Sequence, residues 1–287
     1  MSDDSSRSAG AIDGLISPTL KDLRERWWDD EFTEFISETL RPRPGNRILD
    51  VGCGEGLAEL AIGRLQISQV RLVGVDIAIG KVARASRETA AHNQRVGFTA
   101  GDARRLPFLD GSFDALFSVA TLQRVGDIER AVREFARVTA PGGRVVAVEP
   151  DNSARYFYSS APAGLEAFTS ISRLFASLAA SRGETTDDAI GPGLPAMFVR
   201  HGIEPVDVRL FPVSHAWLGT PSASVWDTRR MAIERRLPLA PEENLGRAAR
   251  ECLDVLEAYR LEAVAAGSAF VEVQNVLLFA TVGQREE

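Results

Sequence analysis

The stretch that decides the fold is Arg47-Ile-Leu-Asp-Val-Gly-Cys-Gly-Glu-Gly56, where an apolar run passes directly into three glycines at alternate positions. The apolar residues predict a buried parallel strand: Ile48, Leu49 and Val51. Helical spacing follows at Leu57, Leu60, Ala61 and Leu65. The glycines should therefore form a strand-to-helix turn. Because Gly52, Gly54 and Gly56 lack Cβ atoms, they can adopt positive φ and bring backbone close to a ligand.

The spacing of these glycines and the acidic residues around them narrow the kind of ligand. The pattern is G-x-G-x-G with Asp50 just before it, whereas the dinucleotide fingerprint is G-x-G-x-x-G, so a nicotinamide cofactor is disfavoured. A second apolar strand, Val70 to Val75, ends in Asp76, about 20 residues after the last glycine. A carboxylate there can accept hydrogen bonds from both hydroxyls of a ribose, and carboxylates also suit a cationic ligand.

The alternation of strand and helix continues through the first half of the chain. Further strands are predicted at Val96 to Ala100, Ser112 to Val119 and Arg144 to Val148, with a helix over Asp127 to Thr139. This order predicts an α/β fold with helices on both faces of a parallel sheet and a ligand at the carboxyl ends of its strands.

Taken together, these residues resemble the class I S-adenosylmethionine-dependent methyltransferases, especially the ubiquinone and menaquinone biosynthesis type and the natural-product type. The resemblance covers roughly residues 45 to 150. Six blocks carry it in the family's order: Leu49-Asp-Val-Gly-Cys-Gly-Glu-Gly56, Gly74-Val-Asp76, Gly101-Asp-Ala103, Leu106-Pro-Phe108, Gly111-Ser-Phe-Asp114 and Arg137-Val-Thr-Ala-Pro-Gly-Gly-Arg-Val-Val146. The resemblance implies a Rossmann-like seven-stranded sheet, mostly parallel with an antiparallel last strand, and S-adenosylmethionine as cofactor, with S-adenosylhomocysteine as product.

The resemblance also implies which residues hold this cofactor. Asp50 and the glycine loop, Cys53 included, would hold the methionine part, and Asp76 the ribose hydroxyls. Ile77 would lie on one adenine face, with Asp102 and Ala103 at the adenine edge. Ser118 and Gln123 complete the predicted set. Many relatives carry His after the fourth strand, but this chain has Ala120-Thr-Leu-Gln-Arg124, so substrate chemistry does not transfer from the family.

The rest of the chain predicts covers and a return to the sheet. We expect a disordered tail (1–15), an N-terminal helical cover (16–45), the cofactor-binding core (46–150), a helical lid insertion after strand five (151–190), and the C-terminal part of the core with a helical substrate-side insertion (191–287). The predicted lid helix has an apolar stripe that fits either an apolar substrate or ordinary core packing: Leu165, Phe168, Ile171, Phe175 and Leu178. Strand six is predicted within Gly202 to Phe211 and the last strand within Ala269 to Ala280.

Methyl transfer needs alignment of the acceptor and exclusion of water more than a catalytic triad. A base can still be required to remove the acceptor's proton, and it must lie within hydrogen-bond reach of it. The candidates are Glu149 and Asp151 at the end of strand five, together with Tyr156, Tyr158 and His215. Each has a plain alternative, since Glu149 could cap a turn and His215 could be a packed or surface histidine. No metal site is expected, because the two cysteines, Cys53 and Cys252, have no metal-ligand spacing.

Composition limits the class of substrate and the compartment. The formal net charge is −7, which disfavours nucleic acid as a partner. The best basic cluster, Arg229-Arg230 with Arg235-Arg236, fits a solvated helix face better than an anion site. The start Met-Ser-Asp-Asp-Ser-Ser does not resemble a signal peptide, and no apolar run is long enough to span a membrane. We therefore expect a cytoplasmic monomer or homodimer without membrane contact.

The sequence thus predicts a methyltransferase that acts on O, N or C of a small apolar or aromatic metabolite, in specialised metabolism. One alternative is a quinone-pathway C-methyltransferase. Another is a module that binds S-adenosylmethionine without catalysis and acts through partners.

Overall fold

The computed structural model describes residues 27–64, 70–92, 96–151, 154–181, 190–235 and 243–287. These residues fall into two compact units. The sheet unit contains the described residues of 27–151, 190–211 and 277–287, and the helical unit those of 154–181, 212–235 and 243–276. The predicted tail at 1–15 and the first part of the predicted N-terminal cover, 16–26, lie outside the described residues.

The helices and strands are numbered here in chain order. Those of the sheet unit are α1 (Asp30–Leu40), β1 (Arg47–Val51), α2 (Leu57–Arg64), β2 (Arg71–Asp76), α3 (Ile79–Ala91), β3 (Val96–Ala100), β4 (Phe113–Val119), α4 (Ile128–Val138), β5 (Thr139–Asp151) and α6 (Ile190–Arg200). Those of the helical unit are β6 (Phe157–Ser159), α5 (Ala163–Ser181), α7 (Ala223–Glu234) and α8 (Glu243–Ala266). Two long strands contribute residues to both units: β7 (Ile203–Leu218) and β8 (Val271–Arg285).

The sheet has the strand order β3-β2-β1-β4-β5-β8, and β7 pairs with β8. The first five strands are parallel, with Asp50 opposite Gly74 and Phe117 in the neighbouring strands. β8 runs antiparallel to β5, with Ala280 opposite Val148. The predicted Rossmann-like sheet of seven strands, mostly parallel with an antiparallel last strand, is therefore confirmed. The three-residue β6, which pairs with residues 272–274, is an additional strand too short for the sequence pattern to reveal.

Helix α4 illustrates how local sequence produces the core of the sheet unit. The Asp127 side chain caps its start by accepting the Arg130 N–H at 3.0 Å. Apolar residues at helical spacing then face the sheet, with Ala131, Val132 and Phe135 fully buried. Burial of a side chain the size of Phe135 contributes roughly 1.5 to 3 kcal/mol. The observed helix agrees with the range predicted from the sequence to within one residue at each end.

Strand β7 is longer than predicted, because it continues past Phe211 to Leu218. The predicted strand ended at Phe211, directly before Pro212, and a proline lacks the N–H that a central strand must donate. Beyond Pro212 the residues alternate between half-buried and exposed, with Val213, His215 and Trp217 on the half-buried side. This period of two is the strand signal that the proline masked.

The helical unit has its own apolar core, formed largely by α5, α7 and α8. Ile171, Phe175 and Leu178 of the predicted lid stripe are buried in it, and Phe168 stacks on Phe157 with ring centroids 4.5 Å apart. Leu165 is 63% exposed, so its placement in the stripe was wrong. The stripe therefore packs within the helical unit, as the ordinary-core alternative predicted.

The basic cluster on α7 does not form the solvated face expected of it, because Arg229 is only 2% exposed. Its guanidinium donates to both carboxylate oxygens of the buried Glu272, at 2.6 and 2.9 Å. The rings of Trp217 and Trp226 each lie 4.9 Å from its central carbon. Arg230 remains exposed, while Arg236 lies outside the described residues. Spacing along one helix could not reveal a carboxylate on β8, and so the interpretation of Arg229 was wrong.

Among the helices of the described residues, none has both the length and the apolar character needed to cross a membrane.

Candidate functional site

The glycine loop has the backbone conformation that its sequence predicts. Gly52, Gly54 and Gly56 have φ of 85°, 56° and 87°, in the region that favours glycine. The loop is tied to the next strand because the N–H groups of Gly52 and Cys53 donate to the Val75 carbonyl, at 2.7 and 3.1 Å. The loop therefore lies at the carboxyl ends of β1 and β2, the edge at which open α/β sheets bind ligands.

Asp76, at the end of β2, faces this loop. One carboxylate oxygen accepts the Gly54 N–H at 3.0 Å and the other accepts the Ala78 N–H at 2.8 Å. A carboxylate offers about four acceptor positions, so two remain for a ligand. Beyond Asp76, the large apolar side chains of Ile77 and Ile79 are 68% and 72% exposed. The end of β2 thus combines a free acceptor with an uncovered apolar surface.

The segment after β4 contacts the loop through Thr121. A Cβ atom added to Gly52 would lie 2.0 Å from the Thr121 hydroxyl oxygen, so the loop and this segment are packed together with no room for a side chain. Gly52 is required here for space as well as for its φ. The predicted residue Gln123 belongs to the same segment, in the 3₁₀ turn Leu122–Arg124, and is half-buried.

Glu149 holds this turn. Its fully buried carboxylate accepts the N–H groups of Thr121 at 2.8 Å, Leu122 at 2.7 Å and Gln123 at 3.4 Å. Burial raises the pKa of Glu149 to about 7, although these hydrogen bonds oppose the shift. The contacts favour the turn-capping role over that of a base, since the hydrogen bonds of the carboxylate within the described residues all come from backbone N–H groups and the residue is fully buried.

Two further carboxyl groups lie beneath the glycine loop. Asp50 is 3% exposed and Glu59, in the first turn of α2, is 0% exposed. Burial raises the pKa of Asp50 well above its ordinary value, and the neighbouring Glu59 carboxylate adds to the shift. Sequence reasoning missed Glu59, because a glutamate in the first turn of a helix is normally a solvated residue that complements the helix dipole.

Asp102 and Ala103 follow β3 at the same edge of the sheet and are half-buried. The Asp102 carboxylate pairs with the exposed Arg104 at 2.7 Å, and hydrogen bonding to that guanidinium lowers the pKa of Asp102. The motif Leu106-Pro-Phe108 is fixed by Arg137, which donates to the carbonyls of Phe108 at 2.8 Å and Leu106 at 3.1 Å. Arg137, which belongs to a motif about 30 residues later in the sequence, thus holds the backbone of the Leu106-Pro-Phe108 motif.

Two predicted cofactor residues are nearly closed to solvent. Ser118 lies within β4 at 0% exposure, and its hydroxyl has no hydrogen-bond partner among the described residues. Cys53 is 6% exposed, and burial raises the pKa of its thiol, in agreement with a space-filling rather than a nucleophilic role. The side chains of both residues therefore have little surface to offer a ligand.

Of the other candidate catalytic residues, Asp151 ends β5 in the sheet unit and is 6% exposed, whereas the remaining three belong to the helical unit. Tyr156, directly before β6, is 54% exposed, and Tyr158, within β6, is 48% exposed. His215 packs edge-on against Trp217, with ring centroids 3.8 Å apart. No three or more His, Cys, Asp or Glu side chains are grouped to hold a metal ion in the parts of the chain that the structure describes.

Part of the sheet unit is similar to known proteins. Residues 49–147 match the family described as a methyltransferase domain. The chain is 33% identical over 159 residues to 27-O-demethylrifamycin SV methyltransferase of Amycolatopsis mediterranei, covering 51% of this chain and 56% of that protein. It is 36% identical over 135 residues to demethylmenaquinone methyltransferase of Mycobacterium marinum, covering 47% and 53%. The chain thus spans about half the length of the curated relatives that it matches.

Among solved structures, the chain is similar to geranyl diphosphate C-methyltransferase from Streptomyces coelicolor A3(2), determined with Mg²⁺, geranyl diphosphate and S-adenosyl-L-homocysteine. The TM-score is 0.50 at 16% identity, over 88% of this chain and 78% of that one, a likeness that concerns the fold. The resemblance to the class I methyltransferases of the menaquinone and natural-product types is confirmed.

Proposed function

We propose that this protein is an S-adenosylmethionine-dependent methyltransferase that acts on a small apolar or aromatic metabolite. The observation that carries the proposal is the hydrogen bond that joins Asp76 to the glycine loop. Three glycines of positive φ, a carboxylate with unused acceptor positions and an exposed isoleucine meet at the carboxyl edge of a parallel sheet. This combination suits a ligand with a ribose, a flat apolar ring and a cationic end.

The residues of this edge fit the parts of S-adenosylmethionine. We assign the amino-acid part to the glycine loop, with Asp50 beneath it, and the ribose hydroxyls to the free acceptor positions of Asp76. Ile77 would pack on the adenine, whose edge would lie against Asp102 and Ala103. When bound, the cofactor supplies a methyl group on a positively charged sulfur. The part of this chain is to orient the acceptor atom at about 3 to 3.5 Å from that methyl group and to keep water away.

A base is needed only if the acceptor must lose a proton. Glu149 is the candidate that its own contacts support least, because three backbone N–H groups already occupy it. Tyr156 and Tyr158 keep exposed side chains. We therefore rank the two tyrosines and His215 ahead of Glu149 for any proton transfer, and assign Glu149 to holding the turn next to Gly52.

The two curated relatives support two versions of the substrate. The rifamycin relative supports a natural-product acceptor in specialised metabolism. The menaquinone relative keeps the quinone-pathway C-methyltransferase as the alternative. The net charge of −7 argues against nucleic acid as a substrate. Two unpaired buried cysteines, Cys53 and Cys252, fit a cytoplasmic location, and the oligomeric state we propose is a monomer or homodimer.

Calorimetric titration with S-adenosylmethionine, S-adenosylhomocysteine and NADH tests the proposal. We expect both sulfur compounds to bind and NADH not to bind. Release of S-adenosylhomocysteine from S-adenosylmethionine in the presence of a metabolite extract would then show turnover. Binding without turnover in any extract would favour the non-catalytic module, and absence of binding would contradict the proposed function.

A further inference from the structure

Glu59 is a buried carboxyl group with no local explanation. Its residue is 0% exposed, and neither carboxyl oxygen forms a hydrogen bond within the described residues. Burying a polar group without a hydrogen bond costs free energy, and a buried charge costs more. A leucine or methionine at this position would fill the same space without that penalty. The carboxyl group therefore has to be explained by something other than the stability of the fold.

The carboxyl group of Glu59 lies near the candidate cofactor site. Its Oε1 lies 2.6 Å from the point that a Cβ atom of Gly74 would occupy, so the carboxyl fills the space left by that missing side chain. Gly74 is the residue opposite Asp50 in the pairing of β1 with β2. The carboxyl of Glu59 thus lies beside that of Asp50, which precedes the first glycine of the loop by two positions. Gly74 in turn precedes Asp76 by two positions, and the Asp76 carboxylate accepts the Gly54 N–H of the loop.

Charge makes this arrangement unfavourable without a ligand. Burial raises the pKa of Glu59 to about 7, and that of Asp50 lies well above its ordinary value. Among the described residues, the charged groups that raise the pKa of Asp50 are Glu59 and Asp76, and those that raise the pKa of Cys53 are Asp50, Glu59 and Asp76. All of these neighbours are acidic, so a cation placed at the loop would relieve their mutual repulsion.

We propose that Glu59 is a positioning residue for the amino-acid end of the cofactor, acting through Asp50, an inference that rests on the proposed function. The two neighbouring carboxyls keep negative charge next to the loop, and Glu59 restricts the position of the Asp50 side chain. The α-ammonium group shared by S-adenosylmethionine and S-adenosylhomocysteine is the cation that this charge attracts. Binding of the adenosine part of the cofactor does not depend on Glu59.

The test compares two ligands that differ in the amino-acid end. S-Adenosylhomocysteine carries the α-ammonium group, whereas 5′-methylthioadenosine keeps the adenosine and sulfur without it. In Glu59→Met the shape of the side chain is kept and the carboxyl removed. We expect the affinity for S-adenosylhomocysteine to fall about tenfold, because negative charge that attracts its α-ammonium group is lost, and that for methylthioadenosine to change less than about twofold.

Two controls separate this role from a structural one. The melting temperature of Glu59→Met should equal or exceed that of the wild type, because an unpaired buried carboxyl has been removed. Glu88→Met, on the exposed side of α3, should change neither affinity. Asp50→Asn should reproduce the selective loss, and Glu59→Met added to it should weaken S-adenosylhomocysteine binding by less than about twofold more.

Several results would overturn the inference. Equal loss of both ligands in Glu59→Met would mean that Glu59 supports the loop as a whole, and unchanged S-adenosylhomocysteine affinity would remove it from the site. Full additivity with Asp50→Asn would show that it does not act through Asp50. If the wild type binds neither ligand, the proposed function itself fails, which is distinguishable from all of these results.

Discussion

Glu149 offers the sharpest test of how the site is built, because two substitutions separate its possible roles. Glu149→Gln keeps an oxygen that can accept the two short hydrogen bonds from Thr121 and Leu122, at 2.8 and 2.7 Å. It loses the charge and the long third bond from Gln123, at 3.4 Å. Glu149→Ala removes every acceptor and leaves the N–H of the fully buried Leu122 without a partner.

The expected magnitudes follow from these contacts. An unsatisfied buried hydrogen-bonding group costs about 1 to 3 kcal/mol, so losing the acceptor for two N–H groups should cost roughly 2 to 6 kcal/mol. We expect Glu149→Ala to reduce the free energy of unfolding by that amount at pH 6. Glu149→Gln should reduce it by about 1 kcal/mol or less, since the two short bonds are retained.

The dependence on pH has a definite sign. Burial raises the pKa of Glu149 in the folded protein to about 7, above the value of about 4.3 expected in the unfolded chain. Between these two values the folded state binds the extra proton, so its contribution to stability is complete below about pH 4.3 and is lost as the pH rises through 7. Glu149→Gln lacks this loss. The free energy of unfolding of the variant minus that of the wild type should therefore rise by roughly 1.4 kcal/mol per pH unit between pH 5 and 7.

Urea denaturation at pH 5, 6, 7 and 8, followed by circular dichroism, measures these free energies for the wild type and both variants. Binding of S-adenosylhomocysteine should weaken in Glu149→Ala, because the turn that packs on Gly52 is no longer held. If both variants are equally stable, the capping account is refuted. If Glu149→Gln keeps wild-type stability and affinity while turnover falls by about 10² to 10⁴, Glu149 is a base after all.

Three other predictions concern the loop, the helical unit and the covers. Asp76→Ala should weaken S-adenosylmethionine binding about tenfold or more in calorimetry, since a charged acceptor contributes roughly 1.5 to 3 kcal/mol, and unchanged affinity would remove Asp76 from the ribose site. Arg229→Met should destabilise the helical unit by about 3 to 5 kcal/mol because Glu272 stays buried without its cation, and adding Glu272→Met should recover most of that loss in thermal denaturation. The predicted covers are tested by hydrogen exchange over Asp30–Leu40 and Ala163–Ser181, which should slow when S-adenosylhomocysteine and a substrate analogue bind; equal rates would argue that neither segment closes over a ligand.

The sequence by itself determined the features that depend on residues close together in the chain. The apolar run before Gly52 and the helical spacing after Gly56 placed β1, the loop and α2, because a strand and a helix differ in period over only a few residues. The order of strands and helices then fixed the edge at which Asp50, Asp76 and Asp102 gather, since parallel strands end on the same side of a sheet. The positive φ of the loop glycines followed from the same pattern.

Contacts between distant segments decided the rest. The pairing of Arg229 with Glu272 joins residues 43 positions apart, and the three hydrogen bonds of Glu149 reach back 26 to 28 positions. Glu59 became a buried group only because Gly74, on the next strand, leaves space for its carboxyl. A carboxylate has the same sequence signature whether it is solvated, caps a turn or lies beneath a ligand, because its role depends on the donors and charges that the folded chain brings to it.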